Sequence, residues 1–173
     1  DSEHRRLVER LQDKNTSGDG SFRYVEGTLG GNHVILTQCG IGKVSAAVGA
    51  SELNGALRGM FLLLKHALSL NEAGMESRIH SGLVCTGDQF ITNRTELDTI
   101  KQRFPDGLAV DMESAAIAQT CYLYNVPFLS FRIISDTPGV EDHASQYADF
   151  WGTMAERSFL TIWTFLSTLP SNL

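Results

Sequence analysis

Three carboxylates in this 173-residue chain stand where a side chain could do chemistry. Asp136 closes the apolar run Phe128 to Ser135, at the carboxyl end of a segment that reads as a strand. Open α/β sheets bind ligands at that end. Partial burial disfavours the charged form of a carboxyl, which suits a general acid. The same position, two residues before Pro138, also suits a capping or turn aspartate. Glu113 lies in Val110-Asp111-Met112-Glu113-Ser114 at the start of a helix. A carboxylate there is favoured by the helix dipole, and it could equally accept two hydrogen bonds from a sugar diol. Glu3, in the first turn of the first helix, has the same two readings. Phe90 follows Gly87-Asp88-Gln89 and is either a core plug or a stacking platform for a flat ligand.

Other motifs exclude chemistry. Cys39-Gly40-Ile41-Gly42-Lys43 invites a phosphate-binding reading, but a P-loop would need Gly at 37 and Ser or Thr at 44, where Thr37 and Val44 stand. A dinucleotide fingerprint would need Gly or Ala at 45, where Ser45 stands. The glycines remain either a structural turn or a place where backbone approaches a ligand. Cys39, Cys85 and Cys121 occur singly, without zinc spacing, and read as small buried hydrophobes in a reducing, cytoplasmic setting. A net charge of -6 argues against a nucleic-acid surface. No signal peptide and no bilayer-length apolar run is expected. The 42% hydrophobic content is that of an ordinary globular domain.

The elements that must position these residues follow from periodicity. Ser2 to Asp13 reads as a helix with Leu7, Val8 and Leu11 on one face, and Asn15 to Gly20 as a polar loop. Phe22 to Leu29 and His33 to Gln38 read as a hairpin around Gly30-Gly31-Asn32. Helices are expected from Val44 to Leu53 and from Leu57 to Ala73, the second stopped by Gly74. A strand is expected from Ile79 to Cys85, and a helix capped by Thr95 with Asp98 runs to Phe104. Leu108 to Asp111 reads as a short strand and Glu113 to Leu123 as a helix. Phe128 to Ser135 reads as a buried central strand, and Ser145 to Leu169 as a long helix. Strands alternating with helices predict one α/β domain over residues 1–173, with a largely parallel sheet preceded by a hairpin.

Four stretches, in order, carry a likeness to a known group. They are Cys39-Gly40-Ile41-Gly42-Lys43-Val44-Ser45-Ala46-Ala47, Thr86-Gly87-Asp88-Gln89-Phe90-Ile91, Val110-Asp111-Met112-Glu113-Ser114-Ala115-Ala116, and Val126-Pro127 through Arg132-Ile133-Ile134-Ser135-Asp136. Together they resemble the nucleoside phosphorylase/nucleosidase superfamily. Within it they resemble the 5'-methylthioadenosine/S-adenosylhomocysteine nucleosidases. The resemblance implies a three-layer sandwich around a twisted, mixed and mostly parallel sheet. It also implies hydrolysis of the bond between adenine and ribose, in purine catabolism and methionine salvage, by a homodimer that uses water and neither metal nor cofactor.

The resemblance also implies roles. Asp136 would protonate adenine towards N7, with Ser135 holding its carboxylate. Glu113 would bind the ribose hydroxyls, with Met112 packed beneath the sugar. Phe90 would stack on the purine, and the Ile91 backbone would bond its edge. Glu3 would activate the attacking water, with Arg132 near it. Compared with the family pattern, the chain lacks a first strand and a sizeable segment after Leu53. The discontinuity is expected at Asn54-Gly55, where a lost core strand would expose neighbouring strand edges. A phosphorylase, a nucleosidase for another purine nucleoside of the futalosine type, and a non-catalytic nucleoside-binding protein are the alternatives on the same fold.

Overall fold

The computed structural model describes residues 2–18, 23–39, 41–52, 60–74, 78–140, 143–150 and 155–170, the side chains of 2, 3, 48–52, 60–62, 143, 144, 147 and 155–158 excepted. The expected discontinuity at Asn54-Gly55 lies outside the described residues. Helix α1 spans Ser2–Arg10 and is followed by three strands, β1 (Gln12–Ser17), β2 (Tyr24–Leu29) and β3 (Asn32–Thr37), in an antiparallel sheet of order β1-β2-β3. The hairpin forms as its sequence predicts. Leu29 pairs with Asn32, and Gly30 and Gly31 have φ of 56° and 82°, the positive pair that a two-residue loop demands. Strand β2 alternates strictly, with Val25, Gly27 and Leu29 inward.

β1 is a correction. Gln-Asp-Lys-Asn-Thr-Ser has no apolar residue and every position is exposed, so nothing in its periodicity marks a strand. It is ordered by the free edge of β2, with a register shift between Gln12 and Asn15. Edge pairing of this kind is a tertiary gift that local propensity does not announce.

Helices α2 (Lys43–Glu52) and α3 (Met60–Ser69) follow, the latter continuing into a 3₁₀ turn, Leu70–Ala73. Gly74 ends it with φ 75°, the left-handed stop its position implies. Strands β4 (Leu83–Thr86) and β5 (Gly107–Asp111) pair in parallel, with α4 (Arg94–Arg103) as the crossover. The cap of α4 is Asn93, whose side chain accepts from the Glu96 N–H, and not Thr95. The cap thus stands two residues before the expected Thr95. Helix α5 (Ser114–Leu123) follows β5 directly, and α6 (His143–Asp149) and α7 (Ala155–Ser167) occupy the stretch expected as one long helix. Residues 151–154 between them lie outside the described residues.

The second correction concerns Phe128 to Ser135. The run pairs with no strand among the described residues, and none of its residues is buried; Ile134 is 54% exposed. Its apolar character serves a helix contact instead. Phe131 stacks on Phe165 of α7, with ring centroids 5.3 Å apart. Helix α7 joins two small cores. Trp163 and Leu166 pack on Leu11, Val25 and Leu29, while Phe165 and Leu166 meet Ala67, Leu70 and Phe131. This single helix therefore ties the N-terminal sheet to the segment that carries Arg132 and Asp136.

Candidate active site

The parallel pair β4-β5 ends with Thr86 opposite Asp111, and the site is built on those two carboxyl ends. The Thr86 hydroxyl donates to Asp111 Oδ1 at 2.6 Å, and the Gly87 N–H donates to the Asp111 carbonyl at 3.0 Å. Thr86 Oγ1 in turn accepts from the Ala115 N–H at 3.1 Å. Asp111 also takes the free N–H of Ser114 at 3.2 Å, which satisfies one donor that the start of α5 would otherwise leave open.

Ser114 is buried and at the centre of the cluster. Its hydroxyl donates to Asp111 Oδ2, and it accepts from Arg132 Nε and Nη2 at 3.1 and 3.0 Å. The Ser114 hydroxyl also meets Ser130 Oγ at 2.8 Å. Burial pushes the Asp111 carboxyl upward, but its bonds to Ser114 and Thr86 and the Arg132 guanidinium outweigh that and hold it below the ordinary carboxylate value.

Arg132 lies between two carboxylates and belongs to one. Its Nη2 is 2.7 Å from Asp111 Oδ2 and 3.9 Å from Glu113 Oε2. Glu113 is held separately, since its Oε1 accepts from the Gly42 N–H at 2.9 Å. Its Oε2 accepts from the Met112 N–H at 3.3 Å. Gly42 has φ 91°, a backbone angle that favours glycine and aims its N–H at Glu113. Gly42 thus serves a carboxylate of the site. Helix α2 packs along α5, with Ala46 and Ala116 buried, and Lys43 pairs with Asp88 at 2.7 Å.

The segment that supplies Arg132 ends with Ser135 donating to Asp136 Oδ1. Phe90 is 58% exposed, so it is not a core plug, and Ile91 beside it is half-buried. Their loop is fastened to α4 by Glu96, which accepts from Gln89 Nε2 at 2.6 Å and from the Thr92 N–H at 3.2 Å. Glu3 belongs to α1, but its side chain lies outside the described residues. Met112, Glu113 and Arg132 are therefore brought together, and Ser135 and Asp136 form a second pair on the same segment. Among the described residues no group of three or more His, Cys, Asp or Glu could hold a metal ion, and no helix is long and apolar enough to cross a membrane.

Residues 56–167 match the phosphorylase superfamily. The chain is 31% identical to a 5'-methylthioadenosine/S-adenosylhomocysteine nucleosidase of Maridesulfovibrio salexigens, over 94% of each chain. The chain belongs to this nucleosidase family. A second relative of the same name, from Chromohalobacter salexigens, is 30% identical over 81% of this chain and 82% of its own. The fold is likewise similar to that of a nucleosidase from Colwellia psychrerythraea solved in complex with adenine, with a TM-score of 0.83, 23% identity and coverage of 99% and 93%.

Within this nucleosidase-family chain, sequence reasoning missed Asp111, Thr86, Ser114 and Ser130. Asp111 was read only as the end of a strand. The available signal was Asp111 three residues before Ser114, a spacing by which an aspartate takes the first free N–H of a helix. Thr86 and Ser130 carry no local signal, because their partners are 25 and 16 residues away.

Proposed function

We propose that this chain hydrolyses the N-glycosidic bond of 5'-methylthioadenosine and S-adenosylhomocysteine, releasing adenine and the thioribose product. The observation that carries the reading is the segment from Ser130 to Asp136. It presses Arg132 against the cluster of Asp111 and Glu113 and, four residues on, presents the Ser135–Asp136 pair. Four residues span at most about 14 Å, so Arg132 and Asp136 stand close enough together to serve one nucleoside.

The chemistry assigns each group a task. The C1'–N9 bond breaks with its electron pair moving into the purine, and Asp136 delivers a proton to N7 so that adenine leaves neutral. Ser135 orients that carboxyl. Ribose is left with oxocarbenium character, as in other glycosidic cleavages. Glu113 accepts hydrogen bonds from the ribose hydroxyls, with Met112 packed beneath the ring and Arg132 beside it. Phe90, exposed on its loop, stacks on the purine, and the Ile91 backbone meets its edge. Water attacks C1' and gives up a proton to Glu3. The adenine held by the Colwellia structure of the same fold supports a purine-binding role for this site. The reaction consumes one water for each nucleoside cleaved, and the reading extends to a cytoplasmic homodimer acting in purine catabolism and methionine salvage.

Methylthioadenosine incubated with the protein in phosphate-free buffer is expected to yield free adenine. The Asp136→Asn variant is expected to lose at least about 100-fold in kcat, the scale of a general acid. A strict requirement for phosphate, or a D136N variant as fast as the parent, would overturn the assignment. Sedimentation at assay concentration tests the dimer.

A further inference from the structure

The arginine of the site has a choice of carboxylates, and the choice affects substrate binding. We propose that Asp111 is a positioning residue that keeps Arg132 off Glu113, leaving the Glu113 carboxylate open to the ribose diol. This rests on the reading of Glu113 given above.

Three observations carry the idea. Arg132 Nη2 is 1.2 Å nearer to Asp111 than to Glu113, by the difference of 3.9 and 2.7 Å. At 2.7 Å the guanidinium and the Asp111 carboxylate form a close ion pair, whereas the 3.9 Å approach to Glu113 is looser. Asp111 is the better anchored acceptor, since Thr86, the Ser114 backbone and the Ser114 hydroxyl all donate to it and its side chain is only 10% exposed. Glu113 has a backbone N–H on each oxygen, from Gly42 and from Met112, so each oxygen retains acceptor capacity. A sugar diol needs that capacity. Arg132 would fill it if Asp111 lost its charge, because a short rotation of the guanidinium closes the remaining gap. Ser114 restrains that rotation by accepting from both Nε and Nη2, and Ser130 in turn contacts the Ser114 hydroxyl.

The test uses Asp111→Asn, Arg132→Ala and the double variant, assayed on methylthioadenosine for kcat and KM and on adenine for product inhibition. D111N is expected to raise KM on the order of tenfold with a smaller effect on kcat, since uniform binding is lost. In the R132A background, D111N should change KM by less than about twofold, because Asp111 acts only through that arginine. Adenine inhibition should be unchanged in D111N, whereas general loosening of the fold would weaken it too. If D111N raises KM equally in both backgrounds, or leaves it unaltered, the proposal is overturned. Should D111N fail to fold, Asp111→Ser removes the same charge and leaves a hydroxyl for the Thr86 and Ser114 partners. It is then expected to raise KM in the wild-type background and not in R132A, and any other pattern overturns the idea. Glu113→Gln separates the two layers: an unchanged KM there defeats the diol assignment itself, independently of Asp111.

Discussion

Thr86 and Asp111 face each other across the last rung of a parallel strand pair, joined by a 2.6 Å hydrogen bond from hydroxyl to carboxylate. This bond couples the sheet to the helix that follows it, because the same Thr86 oxygen accepts the Ala115 N–H. Thr86→Val keeps the shape and removes the hydroxyl. It is expected to cost about 1–3 kcal/mol, the penalty for leaving partly buried polar groups unmatched. A lower urea midpoint at unchanged slope is the readout.

Asp111 gives the protein an acid-sensitive component with a definite sign. Its folded-state pKa lies below the ordinary value of 3.8, so the carboxylate is favoured in the folded protein. Its stability contribution is full above the unfolded value and is lost as pH falls from there through the lowered folded value. Urea midpoints measured downward from about pH 5 should fall for the parent and less steeply for Asp111→Asn. Parallel curves for the two proteins would refute the assignment.

Gly42 holds its N–H on Glu113 through a φ of 91°. Nothing lies within 4 Å of where a Cβ would stand, so Gly42→Ala meets no clash, only an unfavourable backbone angle. That strain is about 1–2 kcal/mol, and relieving it turns the N–H away from the carboxylate. KM for the nucleoside is expected to rise several-fold, with adenine inhibition preserved.

Glu96 fastens both flanks of Phe90 and Ile91, through Gln89 and Thr92. Glu96→Ala should cost about 1 kcal/mol of stability, comparable to a lost cap interaction. It should also weaken adenine inhibition, because an untethered loop pays more to order on binding. Inhibition unchanged from the parent would mean that the loop does not meet the base.

Much of this arrangement can be read from residues in order, and the exceptions share one cause. Gly30-Gly31 between alternating segments and Gly74 after an apolar helix are local signals, and both elements form as they dictate. The candidates Glu113, Arg132, Ser135 and Asp136 were visible from position and likeness. Gln12–Ser17 was not legible as a strand, because its order comes from the edge of β2. Phe128 to Ser135 misled for the converse reason. A continuous apolar run states that something covers it, not whether the cover is a sheet or the Phe165 ring. Asp111 and its hydroxyl partners escaped notice because a network shows itself only when distant segments meet.

The bond from Gly42 to Glu113 closes a separation of 71 residues, and the Arg132 pair adds a segment later still. Contacts of that span must overcome chain-closure entropy before they return any stabilisation. On a ribosome, the N-terminal hairpin emerges with its strand partners present, although α7, which covers it, comes last. Glu113 meets the Gly42 N–H as soon as it is made, but the guanidinium that pairs with Asp111 arrives only with the later segment bearing Arg132. The site is thus a late product of folding, and a chain that stops short of Arg132 carries Asp111 without its cation.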